Sequence, residues 1–397
     1  MKDDDARRLR VNRVWLTEDG CDIEVFKPIV ERSANLADYP YASDVSSNVP
    51  IYDTAKVRAA AASPDARKEI MAEWVEALSD GPGIVAFRQA FPDAAPIEAS
   101  NAHYWAIIEE EKKSHVGGGD HFAKPGANDR IWNALEKLCL RDPAIFAAYY
   151  GNDIVALVSE AWLGPAYQVT SQLNVVNPGG AAQVPHRDYH MGFQSAREIE
   201  RFPVHAHRLS PMLTLQGAVA HSDMPLDTGP TLYLPFSQAY LAGYLATGRP
   251  EFRAYFDAHR VQLPLMKGDA VFFNPALFHA AGSNRSKDVR RIANLLQISS
   301  AYGRAMESVD RLKMSLALYP ALRRLVADKA ITPAEANNAI AACAEGYAFP
   351  TNLDRDPPIG GIAPQSQQAL MRQALKGEWT PEVFAEKARA QAGRRLT

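Results

Sequence analysis

The spacing of apolar residues changes twice along this chain. From Asp53 to Leu78 it is helical, with an internal start at Ser63-Pro64-Asp65, serine as N-cap and proline at the first helical position. Gly81-Pro82-Gly83 breaks that pattern, and Ile84-Val85-Ala86-Phe87 reads as a short buried strand. Helical spacing returns over Ile97–Lys113 and again over about Asp129–Leu140, Pro143–Tyr150 and Asn152–Trp162. From Tyr167 to Asn177 the period falls to two. Val169, Ser171, Leu173 and Val175 lie on one face, and Thr170, Gln172 and Asn174 on the other. That polar face looks either at solvent or into the lumen of a small barrel.

Short apolar runs separated by turns or insertions follow at Met212–His221, Thr231–Pro235, Val261–Leu265, Ala270–Asn274 and Arg291–Ser299. Helical pieces interrupt them at about Ser237–Leu245 and Glu251–His259. Gln194–Pro211 carries His205 and His207 but reads as a charged insertion, because no carboxylate follows them in a comparable setting. After Ala301 the spacing is helical again. Thr332-Pro333-Ala334-Glu335 is a capping box, Thr380-Pro381-Glu382 a similar start, and Pro350–Gln367, with four prolines, a surface linker. Short strands bracketed by helices imply a mainly β core with α support: a double-stranded β-helix, or cupin-like jelly roll, flanked by N- and C-terminal helices. The expected organisation is an irregular N-terminal arm over residues 1–50, the jelly-roll domain with helical support over 51–302, and a C-terminal helical extension over 303–397. No GxGxxG follows a strand, which weighs against a nicotinamide or flavin fold.

Composition narrows the partners. A net charge of −3 gives no footprint for nucleic acid. The three cysteines, Cys21, Cys139 and Cys343, form no CxxC, which fits a reducing compartment and argues against structural zinc. The N-terminus is charged without an apolar signal core, and no apolar run is long enough to span a bilayer. A cytoplasmic protein that meets a small-molecule substrate, and neither nucleic acid nor membrane, is expected.

The chemistry concentrates in Val184-Pro185-His186-Arg187-Asp188-Tyr189-His190. On an extended strand the His186 imidazole and the Asp188 carboxylate project from one face and make half a metal site. Ferrous iron in oxygenases takes two histidines and one carboxylate on one triangular face, leaving three positions open. His279, at the end of a mostly apolar run, is the best third ligand, and His190 is a rival on the same face as His186. Eleven residues beyond His279 comes Arg290, then Arg291 and the run Ile292–Ile298. A guanidinium entering an apolar strand needs an anion, and a bidentate carboxylate is its natural partner. Val116–Gly126, with five Gly or Pro among eleven residues, reads either as a surface loop or as a lid centred on Gly117–Lys124.

Four segments, in order, resemble the phytanoyl-CoA dioxygenase-like family of iron(II)/2-oxoglutarate oxygenases. His186-Arg187-Asp188-Tyr189-His190 resembles its HxDxH segment, and Thr228 to Gln238 its NGxLxxxPGSH strand. Lys267 to Phe273 resembles its GDxxxF strand, and His279 to Ser286 with Arg290 its distal histidine, loop and 2-oxoglutarate arginine. The resemblance covers about residues 80–302. It implies that His186, Asp188 and His279 bind Fe(II), that Arg290 pairs with the C5 carboxylate of 2-oxoglutarate, and that Asn174 contacts this co-substrate. Two departures stand out. PGSH reads Pro235-Phe236-Ser237-Gln238, and the hydroxyl two residues after the distal histidine is replaced by Ala281. The implied reaction consumes O2 and 2-oxoglutarate, releases succinate and CO2, and hydroxylates an unactivated C–H bond. Gln172, Tyr189 and Gln216 are the residues assigned to the substrate. Two other readings use the same fold: a jelly-roll isomerase or hydrolase that does without 2-oxoglutarate, and a non-catalytic small-molecule binding protein.

Overall fold

The computed structural model describes residues 2–114 and 126–396. Its strands are β1 (Asp44–Ser46), β2 (Val49–Asp53), β3 (Ile84–Arg88), β4 (Asn128–Ile131), β5 (Gln168–Val176), β6 (Thr214–Ala220), β7 (Leu232–Leu234), β8 (Val261–Gln262), β9 (Ala270–Phe273), β10 (Phe278–Ala280) and β11 (Arg291–Ser299). They form an eight-stranded sheet ordered β1-β2-β3-β9-β6-β11-β5-β4 and a three-stranded sheet ordered β10-β7-β8. The large sheet is mixed, with β2 and β3 parallel and β3, β9 and β6 antiparallel. This is a jelly-roll core with helices around it.

The chain divides into two compact units. One comprises Met1–Gln89, Asp120–Asp129 and Asn174–Ala293, the other Ala90–Gly119, Arg130–Leu173 and Asn294–Thr397. In the first unit, strand alternation sorts side chains between a core and a site. Gly217 stands opposite Phe272, and Gln216 opposite Phe273. On one face Phe272 packs on Phe87, which contacts Trp74 and Tyr52, all four rings being buried. Burying rings of this size contributes roughly 1.5–3 kcal/mol each. Glycine is required at 217, because a Cβ there would lie 2.5 Å from the Phe272 ring. On the other face Phe273 meets Tyr233 of β7 and His279 of β10, with ring centroids 5.2 and 4.8 Å apart.

The small sheet repeats the sorting. His279 pairs with Tyr233 and Phe278 with Leu234. His279 therefore faces Phe273, while Phe278 joins a second apolar cluster with Phe26, Tyr240, Tyr244 and Phe252. Asp269 of the Lys267-Gly268-Asp269 turn is buried. It accepts from Arg88 Nη1 (2.6 Å), Gln89 N (2.8 Å) and Met266 N (2.9 Å), so it fastens the entry of β9. Ser237 Oγ donates to Leu234 O and accepts from Phe278 N, tying β7 to β10. Phe236 takes the left-handed backbone (φ 68°) at the place where the family pattern has glycine.

The second unit is mainly helical. The helix Pro333–Cys343 carries the expected capping box, formed by Thr332 and Glu335. Three expectations change. The N-terminal arm is not irregular: it holds the helices Lys2–Val14 and Ile23–Val30. The second of these buries Phe26 and Val30. The helix expected over Asp129–Leu140 is a strand, β4, followed by a helix over Ala134–Arg141, with Asn133 left-handed between them. The His-x-Asp segment is not a regular strand, as described below. The lid expected over Gly117–Lys124 lies outside the described residues. Among the described residues, no helix is long and apolar enough to cross a membrane.

Candidate metal centre

His186, Asp188 and His279 each offer one ligand atom, and the three atoms lie within 4.8 Å of one another. His186 Nε2 is 3.7 Å from Asp188 Oδ1, and His279 Nε2 is 3.4 Å from Asp188 Oδ2. Backbone bonds build this arrangement. His186 N donates to His279 O (3.0 Å) and His279 N to His186 O (3.2 Å), an isolated antiparallel bridge. Asp188 N donates to Pro275 O (3.1 Å). The segment is thus extended enough to put residues 186 and 188 side by side, but its pairing stops there. Tyr189 and His190 both turn left-handed (φ 65° and 46°). Such backbone is costly for bulky residues and clusters at functional sites.

Both imidazoles are oriented in one way. His186 Nδ1 is 2.9 Å from Val184 O, and His279 Nδ1 is 2.9 Å from Leu277 O. A backbone carbonyl can only accept, so each Nδ1 carries the proton and each Nε2 presents a lone pair toward Asp188. This is how a metal-binding imidazole has its tautomer fixed. Burial and the neighbouring His279 lower the His186 pKa, which favours the neutral ligand form. Burial alone would raise the Asp188 carboxyl. The adjacent imidazoles of His279 and His186, which carry positive charge only when protonated, and the bond from Gln216 outweigh it and hold that carboxyl well below the usual carboxylate range. Two neutral nitrogens and one carboxylate on a common point are a donor set suited to a divalent transition metal.

The residues assigned from sequence fall as follows. Gln216, expected at the substrate, donates Nε2–H to Asp188 Oδ2 at 2.5 Å. It therefore steadies the carboxylate of the candidate metal group. Gln216→Ala is expected to weaken Fe(II) binding about 10-fold or more, as loss of such outer partners does; anaerobic metal titration reads this directly. His190 does not belong to the metal group; its Nδ1 is 3.0 Å from Ser210 Oγ. The Tyr189 side chain is buried, with its ring beside that of His190. In the second unit, Gln172 Oε1 accepts from Arg130 Nη1 (3.3 Å). Asn174, in the unit that holds the metal group, is buried, and its Oδ1 has no hydrogen-bond partner among the described residues.

The two adjacent arginines differ in burial. Arg290 is exposed, whereas Arg291 is buried at 5 % exposure as the first residue of β11. Burial pulls its guanidinium down to about 10, with the adjacent Tyr233 working the other way. Among the described residues no carboxylate pairs with it, and its Nη1 is buried without a hydrogen bond. Tyr233 links it to the centre through Phe273 and His279. A buried guanidinium with an unmet donor is a site for an anion. Strand parity was the signal available in the sequence. Asn294 bonds Tyr149 and Tyr150, and Arg291, three positions away, belongs to the opposite face.

A jelly roll with a two-histidine, one-carboxylate group and a buried guanidinium that has no acidic partner among the described residues has the donor set of the iron(II)- and 2-oxoglutarate-dependent enzymes. The chain belongs to one family of these: the phytanoyl-CoA dioxygenase (PhyH) family matches it over residues 62–292. No curated protein matches the sequence. Among solved structures it is similar to the non-heme alpha ketoglutarate dependent epimerase SnoN from nogalamycin biosynthesis, at 19 % identity over 60 % of this chain and 82 % of that one, with a TM-score of 0.41. It is similar to the carbocyclase SnoK of the same biosynthesis, at 19 % identity over 57 % and 83 %, TM-score 0.42. It is also similar to EvdMO1, at 16 % identity over 58 % and 50 %, TM-score 0.41. The family membership rests on the matched residues.

Proposed function

We propose that this protein is a dioxygenase that hydroxylates an unactivated C–H bond of a small-molecule metabolite. The observation that carries the 2-oxoglutarate dependence of this reading is the buried Arg291, which among the described residues has no acidic partner and lies in the unit that also holds the metal group. An isomerase or hydrolase that uses the same three ligands without 2-oxoglutarate has no need of it. His186 and His279 bind iron through Nε2, with the protons kept on Nδ1 by the carbonyls of Val184 and Leu277, and Asp188 supplies the charge. Arg291 takes the C5 carboxylate of 2-oxoglutarate in place of the Arg290 expected from spacing, and the Asn174 amide adds a hydrogen bond to it. The Phe273 and Tyr233 rings exclude water beside the centre. Iron with 2-oxoglutarate and O2 supplies the oxidant, and succinate and CO2 leave.

The Asn174 contact is a neutral hydrogen bond, worth about 1 kcal/mol. Asn174→Ala is expected to raise the Kd for 2-oxoglutarate roughly 5-fold, with iron affinity unchanged; titrating 2-oxoglutarate into the iron-loaded variant measures it. The reaction itself is tested with 18O2 against a panel of candidate metabolites. Succinate formed in step with a product carrying one 18O atom supports hydroxylation. A product formed in step with succinate but without label overturns it in favour of another outcome of C–H cleavage.

A further inference from the structure

We propose that Arg187, the residue between His186 and Asp188, is a positioning residue: its buried guanidinium pins the metal-binding segment against the strand that carries His279. The inference rests on the ligand set proposed above and adds a residue that touches neither metal nor co-substrate.

Arg187 lies at 3 % exposure, and among the described residues no carboxylate pairs with it. A buried cation without a counter-ion is costly, so its surroundings must hold it by other means. Nη2 donates to Ser237 O (2.6 Å) and Tyr240 O (2.9 Å). The guanidinium carbon sits 5.2 Å from the centre of the Tyr244 ring and 5.1 Å from that of Phe278, within the range of a cation–π contact. Each partner leads back to the metal group. Phe278 immediately precedes His279. Ser237 Oγ accepts from Phe278 N. Tyr244 donates its hydroxyl to Asp188 O (3.2 Å). One side chain therefore grips the stretch next to each of the three ligands.

The receiving surface is shaped for it. A Cβ at Gly243 would lie 1.9 Å from the guanidinium carbon, so the helix Gly243–Ala246 begins with the one residue that leaves room. The need for such a peg follows from the backbone. The segment is entered by a bond from Gln183 N to Ala281 O, is held by a single bridge at His186 and one bond at Asp188, and leaves through two left-handed residues. Without a sheet ladder on either side, side-chain anchorage is what keeps the imidazole and carboxylate converged.

The test compares Fe(II) affinity, measured anaerobically, with the melting temperature of the metal-free protein. Arg187→Met keeps length and loses the fork of donors. It is expected to weaken Fe(II) binding at least 10-fold and to shift the visible band of the iron–2-oxoglutarate complex, with Arg187→Lys intermediate. Gly243→Ala is expected to weaken iron binding similarly by displacing the guanidinium, yet to add nothing in an Arg187→Ala background. A merely structural role would lower the melting temperature and leave the affinity and the band of the folded protein unchanged. If Arg187→Met is folded and binds iron within twofold of wild type with an unshifted band, the proposal is overturned. If Arg187→Met does not fold, Arg187→Lys decides, and native affinity there overturns it equally. His279→Ala separates the two levels. Loss of iron there with native binding in Arg187→Met removes this proposal alone, whereas native binding in His279→Ala removes the ligand set and this proposal with it.

Discussion

His279→Ala is expected to abolish iron binding and turnover together while the metal-free protein stays folded. His279 contributes one of three donor atoms, and its ring is fixed by the Leu277 carbonyl, its register with Tyr233 and its contact with Phe273. Four-ligand zinc sites gain ~10–16 kcal/mol in all, so one ligand contributes on the order of 3 kcal/mol. That is a loss of roughly 100-fold or more in affinity. The backbone bonds that join residues 186 and 279 do not involve the ring and survive the change. Iron content after anaerobic loading and desalting, with circular dichroism of the same samples, checks both halves. A folded variant that retains iron would mean that the ligand is elsewhere.

Arg291→Ala is expected to weaken 2-oxoglutarate binding by roughly two to four orders of magnitude, and Arg290→Ala to change it less than about threefold. Removing one partner of a buried charged pair costs about 3–5 kcal/mol, which corresponds to roughly 10²–10⁴-fold. Arg291 has the burial and the unmet donor that such a pair requires; Arg290 is exposed, and exposed pairs contribute about 0–1 kcal/mol. Arg291→Lys should recover only part of the affinity, because an ammonium cannot meet a carboxylate with two parallel bonds. The Kd for 2-oxoglutarate, measured on iron-loaded protein, distinguishes the two arginines. A large effect at Arg290 with a small one at Arg291 would return the co-substrate to the residue expected from spacing.

The sequence carried the metal group more clearly than its supports. His186, Asp188 and His279 were legible because polar, ligand-type side chains stood two apart in an extended stretch and at the end of an apolar run. Their convergence depends on a one-residue bridge and two left-handed residues; the bridge leaves no mark in residue type, and a bulky tyrosine is not what such backbone selects. Two adjacent arginines could not be separated by residue type: the resemblance pointed to Arg290, while packing buries Arg291. The bond from Gln216 to Asp188 was not legible, because a glutamine on a strand advertises only a face and its partner is 28 residues away. The two N-terminal helices were hidden for opposite reasons. Lys2–Val14 is mostly polar, whereas Ile23–Val30 is short and is held by Phe26 in the core. The jelly roll itself was legible in the alternation of short strands, because period-two patterning is what builds its two faces.

The most direct test of the account is an anaerobic titration of metal-free protein with Fe(II) and then 2-oxoglutarate, following the visible charge-transfer band of the chelate. A saturable band that is lost in His186→Ala and weakened in Arg291→Ala is the predicted result. Iron that binds to the wild-type protein without any band on addition of 2-oxoglutarate would contradict the assignment of the co-substrate site.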